Sequence, residues 1–254
     1  MKKMNGFAKV YIAVALVVVA LIGVAAWLVI DGNNKATNYN DYNFYSVIGA
    51  DESNGGIGDH VKGDANAPVL IFEYADYQCP GCATMNPRVN KAVEEADGKL
   101  AVVYRSFLLS YHKNGTAAAS AAEAAGLQGY WKPYADKLFA EQENWENASV
   151  AERTEIFKEY FDEVTDGKGD LEKFVNDMGS EAVSKKISFD MGIARRVNVE
   201  ATPAFYVEGQ LIDWSDAGSV TVNGETISWE KAQSGEDFVK LLNRIADTAN
   251  TKSQ

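Results

Sequence analysis

The chain carries only two cysteines, Cys79 and Cys82, and they stand two residues apart where a strand pattern gives way to a helical one. Val69-Leu-Ile-Phe-Glu-Tyr is a short apolar run rich in β-branched and aromatic residues, the pattern of a buried strand. Asp76-Tyr-Gln-Cys-Pro-Gly-Cys follows, and a helical stretch runs from about Pro80 to Ala96, closing near Gly98. Leu100 to Tyr104 reads as the next strand. Strand, helix and strand in that order predict a βαβ unit with parallel pairing.

Two cysteines at this spacing can bridge, bind metal or exchange electrons. A bridge across four residues stabilises little, under about 2 kcal/mol from loop entropy. A tetrahedral zinc site needs four ligands, and the only histidines are His60 and His112, neither in a second ligand pair. The redox reading has a mechanism. Cys79 falls near the N-cap of the predicted helix with Pro80 at its first position, where a missing N–H costs nothing. Unpaired N–H groups and the helix dipole favour a thiolate there, so Cys79 is expected to have a lowered pKa and to attack and leave readily. Cys82, a turn further in, is expected to be more buried and to resolve or re-form the bridge. Glu73 lies in the apolar strand six residues before Cys79, where a carboxylate is costly. It reads equally as a buried proton acceptor for Cys82 or as a strand-end acid facing water. Thr202-Pro203 directly precedes the strand Ala204 to Val207, and a proline there suits a cis turn or an ordinary strand start.

The first thirty residues differ in texture from the rest. Lys2, Lys3 and Lys9 precede an uncharged run from Val10 to Ile30, which Asp31 ends. As a helix it would measure roughly 30 Å, the thickness of a bilayer's hydrocarbon core. The charge asymmetry puts the N-terminus in the cytoplasm and the body outside, a single-pass protein of the cell membrane. A cleaved signal peptide is the competing reading, although its apolar region is typically shorter, about 7–15 residues. Export places the body where disulfides form. The net charge of −12 argues against nucleic acid as a partner and for an acidic surface on a monomer.

The expected organisation is a cytoplasmic tail over 1–9, a transmembrane anchor over 10–30 and a tether over 31–60, with an added edge strand possible at Asn43–Ile48. A helical stretch fills 113–197. Its segments are Thr116–Ala125, Tyr130–Gln142, Val150–Val164, Asp170–Met178 and Glu181–Val197. Strands return at Ala204–Val207 and Gln210–Ile212. Asn223-Gly224 signals a further hairpin, and Phe238, Leu241, Leu242 and Ile245 mark one face of a closing helix. The layout is βαβ, a helical insertion, ββ and a final α: an α/β thioredoxin order over 61–112 and 198–247 with an all-helical insertion, then a tail over 248–254.

With these segments the chain resembles the DsbA-like thioredoxin-fold family of exported disulfide oxidoreductases. The resemblance rests on Asp59-His-Val-Lys-Gly-Asp-Ala-Asn-Ala-Pro-Val, on Phe72-Glu-Tyr-Ala-Asp-Tyr-Gln-Cys-Pro-Gly-Cys, and on His112 before an Ala-rich helix. Gln128-Gly-Tyr-Trp…Leu138-Phe and Ala201-Thr-Pro-Ala-Phe-Tyr-Val-Glu-Gly complete it. It implies Cys79 as nucleophile, Cys82 as resolving cysteine, Glu73 as the buried acid, and Thr202 with a cis Pro203 facing the disulfide and binding substrate backbone. It also implies no cofactor, exported thiol proteins as substrates, and a quinone-linked membrane partner that reoxidises the pair. One departure stands out. Strongly oxidising members often carry His between the cysteines, whereas this chain has Pro80-Gly81. Thiolate stabilisation is then left to backbone amides, and the direction of exchange is open between a disulfide donor and a reductase or isomerase. A non-enzymatic peptide-binding module and a Cu(I)-delivery role are weaker readings of the same residues.

Overall fold

The computed structural model describes residues 37–231 and 234–249. The expected tail over 1–9 and anchor over 10–30 lie outside the described residues, and among the described ones no helix is long and apolar enough to cross a membrane.

Strand β1 (His60–Lys62) is followed by β2 (Val69–Ala75), helix α1 (Pro80–Glu95) and β3 (Leu100–Ser106). The insertion contributes α2 (Gly115–Gly126), α3 (Trp131–Ala140), the short α4 (Gln142–Trp145), α5 (Val150–Thr165), α6 (Leu171–Met178) and α7 (Glu181–Arg196). The chain then returns as β4 (Ala204–Val207), β5 (Gln210–Leu211), the hairpin β6 (Gly218–Val222) and β7 (Glu225–Trp229), and α8 (Gly235–Asp247). Five strands form one sheet in the order β1-β3-β2-β4-β5, with β6 and β7 pairing separately. The β2–β3 pair is parallel, as the βαβ reading requires, and runs in register from Val69↔Leu100 to Ala75↔Ser106.

β2 is the central strand and its period of two sorts its side chains between two cores. Val69 and Ile71 join Met85 and Val89 of α1 and Leu242 and Ile245 of α8 on one face. Phe72 and Tyr74 join Phe189 and Ile193 of α7 on the other. Glu73 falls in step with Val69 and Ile71, on the face that α1 covers. A third cluster lies beyond the C-terminal end of β2, where Tyr77, Cys79 and Cys82 pack among the helices of the insertion.

Three expectations need correction. Asn43–Ile48 is not an edge strand. The carbonyls of Phe44 and Ser46 accept hydrogen bonds from the Arg105 guanidinium (2.6 and 3.1 Å) instead of from a ladder. The outer strand is β1, antiparallel to β3. Nor do residues 39–59 behave as a free tether. Tyr39 stacks on Phe189 and Tyr42 meets the same ring edge-on. Ile48 is buried, and Asp59 pairs with Arg105. Aromatic side chains in a polar stretch find apolar partners on α7, and their burial offsets the ordering of the chain. The expected helix Tyr130–Gln142 breaks at Glu141, and a separate turn, α4, follows it.

Candidate active site

Cys79 is the N-cap of α1, with extended φ/ψ of −79° and 120°, and Pro80 occupies the first turn. The open end of the helix therefore points its N–H groups at the Cys79 sulfur. The two cysteines are not bridged to one another. Cys82 is fully buried, while Cys79 keeps a small exposed surface between the exposed Pro80 and Gly81. Their acidities diverge accordingly. A hydrogen bond from the Cys82 thiol pulls Cys79 down to about 5. Burial opposes this, while Thr202 and the N–H groups of Cys82 and Gly81 assist. Burial pushes the Cys82 thiol well above its usual range, and the neighbouring Cys79 and Glu73 push it further.

The Thr202–Pro203 peptide bond is cis. The Thr202 carbonyl oxygen lies 3.4 Å from Cys79 Sγ. A side chain at Gly81 would place its Cβ 3.2 Å from Pro203 Cδ and 3.6 Å from Cys79 Sγ. Hence Cys79, Cys82, Pro80, Gly81, Thr202 and Pro203 converge on one surface point, with glycine leaving room for the loop of Pro203.

Glu73 is the buried acid of the two readings, at 1% exposure. Neither carboxylate oxygen has a hydrogen-bond partner. The nearest cation is Lys62, whose Nζ is 4.0 Å from Oε2. Burial raises Glu73 and Lys62 only partly offsets it. Burial likewise lowers Lys62. Glu73 is thus a buried carboxyl without a hydrogen bond whose charge is felt at Cys82.

Sequence reasoning missed what holds the cysteine loop. Asp76, Tyr77 and Gln78, the three residues before Cys79, are each gripped by the insertion or its approach. The Asp76 carbonyl accepts from Cys79 N–H (3.0 Å). Its carboxylate accepts from the N–H groups of Gln78 (2.9 Å) and Leu109 (2.8 Å) and is 2.8 Å from His112 Nδ1. His112 is thus a positioning residue. A Cβ on Gly115 would lie 2.7 Å from Asp76 Oδ1, so glycine permits this close approach. The Tyr77 hydroxyl accepts from Trp131 Nε1 (3.1 Å) and its carbonyl from Gln142 Nε2 (2.7 Å). Gln78 donates to the Glu146 carbonyl (2.9 Å) and accepts from Asn114 N–H (2.6 Å). An Asp two residues before Gln78 carries the signal of an Asx turn; the other partners carry none.

A thioredoxin family model matches residues 56–243. The chain belongs to the thioredoxin family. Cys79 at a helix N-cap with Cys82 buried beside it is an arrangement suited to thiol–disulfide exchange. Of solved structures, BdbD from Bacillus subtilis in its oxidised form superposes with a TM-score of 0.56 at 20% identity, covering 81% of this chain and 98% of that one. The α-DsbA1 of Wolbachia pipientis gives 0.56 at 21%, covering 77% and 94%. At these identities the likeness establishes the fold, which is DsbA-like. Of curated proteins, the Na(+)/H(+) antiporter NhaA of Herminiimonas arsenicoxydans is 32% identical over 165 residues, 64% of this chain and 24% of that protein. The chain spans about a quarter of the length of the curated relatives it matches.

Proposed function

We propose that this thioredoxin-family protein is a membrane-anchored disulfide donor for exported proteins. The observation that carries the reading is Cys79 at the helix N-cap with its pKa near 5. A stabilised thiolate stabilises the reduced enzyme, which makes its disulfide the stronger oxidant.

In the cycle, a substrate thiolate attacks Cys79 Sγ of the oxidised pair and the S–S bond breaks. Cys82 leaves with the electron pair and takes a proton, for which Glu73 is the adjacent source. The second substrate thiolate attacks the mixed disulfide and expels the Cys79 thiolate. The substrate gains a disulfide and the enzyme is left reduced, with a Cys79 thiolate and a Cys82 thiol, two electrons richer. A quinone-linked membrane partner takes those electrons, and the 10–30 segment holds both proteins in one bilayer, raising their encounter rate. Thr202 and Pro203 bind the substrate backbone beside Cys79. No ion-transport activity is carried over from the antiporter relatives.

A reductase or isomerase acting through the same residues is the second reading, favoured by Pro80-Gly81, which gives the thiolate no side-chain donor. Equilibration of the full chain with glutathione buffers separates the two. A potential towards about −120 mV is expected for a donor, and one near about −270 mV would replace it with the reductase.

A further inference from the structure

The site leaves one element of the insertion unexplained. Asp136, on α3, sits at the rim with its side chain 28% exposed, yet it reaches towards the buried acid through a chain of alternating polarity. Its Oδ1 accepts from Asn86 Nδ2 (2.8 Å) and from Asn90 Nδ2 (2.9 Å). Its Oδ2 takes the Lys132 ammonium (2.8 Å). Asn86, on α1, is 4% exposed and turns its Oδ1 to Lys62 Nζ at 2.5 Å. Lys62 in turn stands 4.0 Å from Glu73.

An amide has one accepting and one donating end, so its partners decide which way it points. Two amide N–H donors on Oδ1 and an ammonium on Oδ2 require Asp136 to be ionised, and an ionised Asp136 requires Nδ2 of Asn86. The accepting end is then committed to Lys62. That commitment matters because Lys62 is 1% exposed, and a buried amine tends to shed its proton unless an acceptor holds it. A neutral Lys62 would leave the Glu73 carboxylate uncompensated in the core.

We propose that Asp136 is a positioning residue for thiol–disulfide exchange, fixing the Asn86 amide so that Lys62 stays an ammonium ion and Glu73 can accept the Cys82 proton. The inference rests on the reading of Glu73 as the acid–base partner of Cys82. The proton moves from Cys82 Sγ to a Glu73 oxygen when the bridge re-forms, and back when it opens. The charged and titratable groups facing Glu73 are Lys62 from β1, Asp136 from α3, Cys82 from α1, and Tyr77 and Tyr104. The through-space effect of Asp136 on Glu73 is to raise it, opposite in sign to the effect exerted through Lys62. The direction of the shift therefore separates the two.

The experiment loads Cys79 of the full chain with glutathione and follows its release by Cys82 against pH, for wild type and Asp136→Asn. The expected result is an alkaline shift of the midpoint by about half a unit and release at pH 7 about threefold slower, with the pH profile of Cys79 alkylation unmoved. An unchanged or acid-shifted midpoint overturns the proposal and leaves Asp136 as a field effect or a surface contact. Should Asp136→Asn not fold, NMR of the Lys62 side chain in the wild-type protein decides. An ammonium at pH 7 is expected, and a neutral amine overturns it. A wild-type chain that forms no mixed disulfide at Cys79 would sink the exchange reading itself, which is a different result from a shifted or unshifted release step.

Discussion

Two of the buried charge groups in this domain are built in opposite ways. In the first, Arg105 gives two bonds to Asp59 (3.2 and 2.7 Å) and further ones to the Phe44 and Ser46 carbonyls and the Tyr74 hydroxyl. Lys186 bridges Asp190 (2.6 Å) and Asp59 (3.5 Å), and Asp190 also accepts from Ser106 N–H. Burial works against ionised Asp59, but Lys186 and Arg105 pull it down regardless. Two acids and two cations are thus nearly saturated with partners, and they lash the segment 39–59, β3 and α7 together. In the second group, Glu73 has a cation 4.0 Å away and no hydrogen bond. The comparison teaches that saturation distinguishes a structural charge cluster from a chemical one. A carboxylate with its lone pairs engaged is held by its partners, whereas one left unsatisfied in the core is open to taking up a proton.

The distinction can be broken by substitution. Arg105→Met leaves Asp59 buried without its main partner and should cost about 3–5 kcal/mol in chemical denaturation, while exchange per folded molecule stays at the wild-type rate. A loss under about 1 kcal/mol would remove the contrast. Glu73→Gln should do the reverse. Stability holds or rises, because a costly buried charge is gone, and Cys82-dependent release of a mixed disulfide slows by about a hundredfold. An unslowed release step would reduce Glu73 to a passenger in the core.

A third expectation sharpens the comparison through pH. The folded pKa of Cys79, about 5, lies below its unfolded value near 8.5. Thiolate stabilisation of the reduced form is therefore complete above that unfolded value, partial below it, and lost as pH falls through about 5. Cys82 remains protonated over the same window. Above pH 5 the reduced pair holds one proton instead of two. Its potential should then fall by about 30 mV per pH unit, half the slope of an ordinary dithiol. A full slope measured between pH 6 and 8 would mean that Cys79 is not a thiolate there.

Much of the architecture was legible because it rests on local signals. Strand β2 announced itself by composition, α1 by Pro80 at its first turn, and the β6–β7 hairpin by Asn223-Gly224 at its tip, where both residues take positive φ. The cysteine pair and Pro203 were likewise readable, since helix-end chemistry and a proline before a strand are properties of adjacent residues. What escaped depends on distant partners. Strand β1 is three residues long and exists by pairing with β3 some forty positions later. Lys62 looks like any surface lysine until the fold closes over it. Nothing in Tyr39 or Tyr42 foretells Phe189. Glu73 was readable as costly but not as chemical, because the choice between core and solvent is made by α1 lying across its face.

The seating of Tyr39 has a mechanical consequence. Its ring lies on α7 where residue 192 is glycine, since a Cβ there would fall 1.9 Å from the tyrosine oxygen, and the Arg196 guanidinium of the same helix lies over the ring at 3.7 Å from its centroid. A tug transmitted along the chain from its N-terminal side is met first by this wedge, in shear against a helix. It passes next to the knot around Arg105 and only then to the three-residue ladder of β1. The strand that aims Glu73 and feeds the cysteine loop lies behind all of these, so the catalytic pair is shielded from strain on the upstream chain.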